Sequence, residues 1–273
     1  MRPIAEQVIL ITGATDGLGK GVALELVKKG ATVLVHGRDQ ARIDTTLAEL
    51  RAVRPDAQLR SYCADFNALA GAQQLADQVL AGEQRLDVLV NNAGIGTHVP
   101  GGGERQVSAD GHELRFAVNY LAPFLLTQRL VPRLLANDAA ARIVNVSSIG
   151  QQPIDFDNVM LEREYSGERA YCQSKLAQIM YTIDLSQKLA HGRVTVNALH
   201  PATYMPTKIV ATPVSTREEG VSATLNLIVS SEVGGKSGAY FNGLVEAQAK
   251  PQAYDAQARE RLWQLSESLT SES

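Results

Sequence analysis

Cysteine is nearly absent from this chain, and with it go the chemistries that depend on it. The only two, Cys63 and Cys172, fit no metal-binding or redox spacing, and reduced thiols in a cytoplasmic protein are expected. The five histidines show no metal-ligand spacing either, so no metal is expected. No run approaches the ~18 apolar residues of a membrane span. Residues 1–7 lack the basic and apolar regions of a signal peptide. Charge is also scarce in net terms: 26 Lys and Arg against 29 Asp and Glu leave −3, with no basic stripe, which argues against nucleic acid or an anionic membrane as partner. What remains is an ordinary globular composition, 45% hydrophobic and 20% charged over 273 residues. An α/β fold reaches that length as one domain, here residues 1–273, with 241–273 as a polar tail.

Short apolar runs alternate with longer helical periods. Val8-Ile9-Leu10-Ile11 reads as a buried strand, followed by a helix over 17–29 that Gly30 stops. Further strands are predicted at 31–35, 59–63, 86–90, 142–146 and 194–198, with a short seventh at 239–241. Helices are predicted over 114–135 and 170–189, with a last one over 255–269. Runs buried on both faces and alternating with helices imply a doubly wound, seven-stranded parallel sheet with helices on both faces. Irregular stretches at 96–111, 150–167 and 203–216 follow strand ends, where ligands of open α/β sheets bind.

Two motifs carry chemistry. Tyr171-Cys172-Gln173-Ser174-Lys175 sets a phenol and an ammonium four residues apart, on one helix face. A cation beside a phenol favours the phenolate and makes a general acid/base. About 150 residues earlier, Thr12-Gly13-Ala14-Thr15-Asp16-Gly17-Leu18-Gly19 joins a strand to a helix, where backbone amides meet phosphates. Ser147 and Ser148 end the fifth strand. Because strand neighbours face opposite ways, only one of them can reach a substrate oxygen.

With Asn91-Asn92-Ala93-Gly94, Asn119 and His200-Pro201 added, the chain resembles the short-chain dehydrogenase/reductase family over almost its whole length, and the resemblance implies a Rossmann-type sheet in the order 3-2-1-4-5-6-7. Residues 118–127, 170–177 and the tail 251–263 look most like its retinol-dehydrogenase-like branch. The resemblance implies Tyr171 as proton donor and acceptor, with Lys175 lowering its pKa and binding the nicotinamide ribose. It chooses Ser148 over Ser147 for the substrate oxygen and gives Asn119 a water in a proton relay. It implies cofactor contacts from Gly13, Thr15, Asp16, Gly17, Leu18, Gly19, Arg38, Asp65, Phe66, Asn92, Ala93, Gly94, Tyr171, Lys175, Pro201 and Thr203, and gives Asn91 a sheet-bracing role. Asp65 reads equally as a helix N-cap. Whether Thr203 or Thr207 meets the cofactor is left open. His200-Pro201-Ala202 stands where the family more often has Pro-Gly.

The activity so implied is the interconversion of an alcohol with an aldehyde or ketone. NADP(H) is expected rather than NAD(H): the second strand ends on Gly37 instead of a carboxylate, and Arg38, which follows it, suits a 2′-phosphate. Asp39 beside it reads as a helix N-cap. The small-molecule carbonyl or alcohol itself is not named by these residues. A homodimer or a homotetramer is compatible with the pattern; the 22 residues between Ser148 and Tyr171 form an insert able to cap the family's helical interface. An alternative on the same fold reduces a C=C bond, and a rival of another class is a non-catalytic NADP(H)-sensing binding protein.

Overall fold

The computed structural model describes residues 1–97, 104–203 and 214–271. Eight strands form one sheet: β1 (Val8–Ile11), β2 (Thr32–Gly37), β3 (Leu59–Cys63), β4 (Val88–Asn91), β5 (Ala141–Val146), β6 (Val194–His200), β7 (Tyr240–Asn242) and β8 (Val245–Ala247). Their order is β3-β2-β1-β4-β5-β6-β7-β8. All pairs are parallel except β7 with β8. The seven-strand expectation is corrected by that last hairpin. β8 is three residues long, with Val245 70% exposed, so it has no apolar run to announce it; Gly243, at φ +60°, makes the turn.

Alternation along each inner strand feeds two cores. Ile9, Ile11, Val33, Val35, Val88 and Val90 face one, beneath α1 (Gly17–Lys28), α2 (Gln40–Val53) and α7 (Arg217–Val229). Leu10, Leu34, Leu89 and Ile143 face the other, beneath α3 (Leu69–Gly82), α5 (Ala122–Leu135) and α6 (Gly167–Lys188). Strands with large apolar side chains on both faces must be covered twice, which is why helices pack on each side. α8 (Ala256–Ser271) lies outside α6. Its Trp263 packs edge-on against Phe124 of α5 (centroids 5.4 Å apart) and stacks on Tyr181 of α6 (5.7 Å).

The helix expected over 114–135 is interrupted. α4 (Leu114–Phe116) passes into a π-helical turn, Ala117–Leu121, where Ala122 N–H donates to the Ala117 carbonyl five residues back, before α5 begins. Asn119 sits inside this turn, a local geometry that recurs at functional sites. Among the described residues no helix is long and apolar enough to cross a membrane.

Candidate active site

The glycine-rich turn is held by its neighbours, and its glycines are required. Gly13 has φ +66°, and a Cβ there would lie 2.9 Å from Ala93 Cα. A Cβ on Gly19 would lie 2.5 Å from the Gly13 carbonyl oxygen and 2.4 Å from Asn92 Nδ2. Asn92 Nδ2 itself donates to the carbonyls of Thr12 (2.8 Å) and Gly13 (3.1 Å), while Thr12 Oγ1 accepts from Asn92 N and Ala93 N (2.9 and 3.0 Å). The motifs at 12–19 and 91–94 therefore form one unit, with the amino end of α1 opening from it. Asp16 is the N-cap of α1, accepting from Gly17 N at 2.8 Å, and its other oxygen pairs with Arg42 at 2.9 Å.

His36 is a residue that motif reading missed. Its Nδ1 accepts from Gly13 N (3.2 Å) and its Nε2 meets the Ala64 carbonyl (3.0 Å). Gly13 N–H only donates and the carbonyl only accepts, so the ring is neutral with its proton on Nε2. Burial pushes its pKa down to about 4. The ring also stacks on Phe66 at 4.7 Å, which fixes the 64–66 segment relative to the glycine turn. A single histidine within an apolar strand gives no signal of this in sequence.

Asp65 is exposed and accepts from Asn67 N at 3.0 Å. It is not the N-cap of α3, a place held by Ala68, while Asp110 accepts from Leu69 N at 2.9 Å. Arg38 is exposed just past β2, and no hydrogen bond or ion pair ties it to another described residue. Asp39 is the N-cap of α2, accepting from Arg42 N at 2.9 Å. Thr203 Oγ1 meets His200 Nε2 at 3.0 Å; Thr207 lies outside the described residues. Ala202 avoids the left-handed region. A cavity of about 560 Å³ opens between Pro201–Thr203, the start of α7 and the β7–β8 turn.

At the carboxyl end of β5 the two serines part. Ser147 Oγ donates to the Lys175 carbonyl at 2.7 Å, a structural bond. The Ser148 hydroxyl lies beside the Tyr171 phenol and favours its ionised form, and it accepts from Gly150 N at 3.1 Å. One helical turn beyond Tyr171, Lys175 Nζ lies 5.8 Å from its ring centroid. The ammonium donates to the Val146 carbonyl (2.9 Å) and to Gln178 Oε1 (3.0 Å). Burial lowers the Lys175 pKa to about 7. For Tyr171, burial raises the pKa and the Ser148 hydroxyl opposes it. The direction is thus opposite to the lowering expected from the neighbouring cation, because the burial that weakens the ammonium also penalises the phenolate.

The Asn119 side chain is committed to the backbone. Its Oδ1 accepts from Ile95 N (2.7 Å), and its Nδ2 donates to the Ile95 carbonyl and to Ser174 Oγ (both 3.0 Å). One turn earlier Arg115, fully buried, donates to the carbonyls of Gly96 (2.9 Å) and Thr97 (3.1 Å). Together they fix the chain that leaves Gly94, where a Cβ would come within 3.6 Å of Lys175 Nζ. Asn91 Nδ2 donates to Thr127 Oγ1 and Asn145 Oδ1 (2.9 and 2.8 Å), tying β4 to α5 and β5.

The fold and this constellation define a class. The family model for short chain dehydrogenases matches residues 7–218, and the chain belongs to that family of oxidoreductases. It is 33% identical to human retinol dehydrogenase 13, over 95% of this chain and 83% of the relative. Among solved structures, an uncharacterised protein from Mycobacterium paratuberculosis superposes with a TM-score of 0.82 at 29% identity, covering 99% of this chain and 96% of that one. A short chain dehydrogenase from Shigella flexneri, complexed with NADP, superposes at 0.69 and 25% identity, covering 88% and 98%.

Proposed function

We propose that this protein is an NADP(H)-dependent oxidoreductase that interconverts an alcohol with an aldehyde or ketone, with Tyr171 as general acid/base. The observation that carries the reading is the Ser148 hydroxyl set beside the Tyr171 phenol, with Lys175 one turn away on the same helix face. These side chains meet at the carboxyl end of the sheet, beside the crevice between β1 and β4 where the strand order reverses.

The residues present fit a dinucleotide. The glycines at 13 and 19 leave a cradle that a Cβ would fill, and the opening amides of α1 suit a pyrophosphate. The exposed Arg38 suits a 2′-phosphate, with no carboxylate at the end of β2 to repel it; the NADP complex of the Shigella relative supports the same choice. A nicotinamide cofactor held there would supply the hydride that is exchanged with the substrate carbon. In the reducing direction Tyr171 gives its hydroxyl proton to the substrate oxygen, and the Ser148 O–H donates a hydrogen bond to that same oxygen as charge develops on it. The Lys175 ammonium stabilises the phenolate left on Tyr171 and holds the ribose hydroxyls. Oxidation runs the same proton backwards.

The test is NADPH consumption against a panel of aldehydes and ketones, with product analysis, in the wild type and in Tyr171→Phe. Alcohol formation that disappears in the variant supports the reading. Saturation of an enal to an aldehyde in place of alcohol formation would move the assignment to C=C reduction. NADPH binding without turnover on any carbonyl would favour a sensor.

A further inference from the structure

Ser148 lies where β5 stops. The preceding Ser147 N–H makes the last bond to β6, to the Leu199 carbonyl at 2.7 Å, and beyond it the sheet no longer positions the chain. Other residues take over. The Ser148 carbonyl accepts two hydrogen bonds, from Gln151 Nε2 at 3.0 Å and from the Tyr240 hydroxyl at 3.1 Å. Gln151 is only 8% exposed, and its remaining oxygen accepts from Lys250 N at 2.9 Å. Tyr240 is buried as well.

Three residues further on the pattern repeats. The Gln252 side-chain amide pairs with the backbone of Ile154 as a strand would, accepting from its N–H at 2.6 Å and donating to its carbonyl at 3.0 Å. The segment that supplies Lys250 and Gln252 is anchored in turn by α8. Arg259 pairs with Asp184 of α6 and donates to the Ala253 carbonyl at 3.1 Å. The guanidinium of Arg261 lies 4.8 Å over the Phe156 ring. Tyr240, Lys250, Gln252 and α8 all lie beyond residues 7–218, the part matched by the family.

The structure assigns Gln151 and the 250–271 segment a positioning role: the C-terminal segment braces the chain after β5, and Gln151 transmits that brace to Ser148. Two bonds on one carbonyl fix the peptide plane that follows Ser148, and so the direction of its Cα–Cβ bond. A reacting group needs placement to within about 0.5 Å, and a strand end without a ladder does not supply it. This assignment rests on the reading of Ser148 as donor to the substrate oxygen.

A double-mutant cycle tests it. Gln151→Leu keeps the volume and removes both bonds. It should lower kcat about tenfold while the KM of NADPH, and its Kd from fluorescence titration, stay within about twofold. Gln151→Glu still accepts from Lys250 N but donates nothing to Ser148, and should lose as much as Gln151→Leu. In a Ser148→Ala background Gln151→Leu should cost nothing further, because the hydroxyl it positions is gone; a general structural defect would lower kcat by the same factor in both backgrounds. Tyr240→Phe, which removes one bond and keeps the ring, provides a second entry to the cycle if the Gln151 variants do not fold. Equal losses in the two backgrounds, or wild-type kcat in Gln151→Leu, would overturn the brace. Wild-type kcat in Ser148→Ala alone would instead overturn the serine's role, and the brace's catalytic purpose with it.

Discussion

Protonation of one buried histidine should loosen this protein as the pH falls. His36 is held neutral, accepting from Gly13 N and donating to the Ala64 carbonyl, with its pKa lowered from 6.5 to about 4. An unfolded chain takes up that proton near 6.5, so between the two values the unfolded state binds more protons and stability falls as the pH falls. The stabilisation is complete above about 6.5 and is lost on the way down to about 4. At about 1.4 kcal/mol per pH unit, the gap corresponds to about 3 kcal/mol. That is a large fraction of the ~5–15 kcal/mol by which domains are stable. The assay is urea unfolding at 25 °C from pH 7 to pH 4, with His36→Gln as reference. Glutamine can donate to Ala64 and accept from Gly13 but cannot titrate. The variant should be the less stable at pH 7, by about 1 kcal/mol, and the more stable near pH 4. His200, also lowered to about 4 by burial, is common to both proteins and cancels in the difference, as do the carboxylates. A wild-type-minus-variant difference that stays constant across the range would refute the reasoning.

Three further outcomes are expected. Tyr171→Phe should reduce kcat by at least ~10²-fold, the span of general acid–base catalysis, with NADPH affinity nearly intact; a tenth of wild-type activity would mean the proton donor is another group. Ser148→Ala should cost about 2–4 kcal/mol of transition-state stabilisation. Ser147→Ala, which removes one hydrogen bond on the Lys175 carbonyl, should cost about 1 kcal/mol of stability and little kcat; the reverse ranking in steady-state kinetics would place the wrong hydroxyl at the substrate. Arg38→Leu should raise the Kd of NADPH by roughly one to two orders of magnitude and leave NADH nearly unaffected, with equal weakening of both as the contrary result. Substitution at 38 alone is the cleaner probe, because a Cβ on Gly37 would meet Thr15 Cγ2 at 2.6 Å.

What the sequence revealed follows from the range of the interactions involved. Apolar runs such as Ile9-Leu10-Ile11 and the Tyr171–Lys175 spacing are local, and strand positions and helix face follow from them. The glycine turn was legible because its strand and helix adjoin it. The β8 hairpin was not, since three residues, none of them buried, carry no periodicity. The π turn at Asn119 was not either: a shift from the four-residue to the five-residue hydrogen bond leaves no compositional mark. His36 and Gln151 act through contacts far along the chain, to Ala64 in one case and to Lys250 in the other. As residues they look like any polar side chain beside a strand. The Tyr171 pKa was read from its charged neighbour alone, and burial, which depends on the whole fold, reversed the direction.

The chain's only tryptophan is Trp263, and it sits in the seam between α8 and the helix that bears Tyr171 and Lys175. Its indole N–H donates to Glu267 at 2.7 Å, its face stacks on Tyr181, and the Lys188 ammonium lies 4.3 Å over the ring. Release of α8 would strip the indole of a ring, a cation and its shelter from water at once. Its emission is therefore an unlabelled, single-site optical gauge of whether the C-terminal segment is seated. It can be followed in a stopped-flow cell while turnover is measured in the same solution.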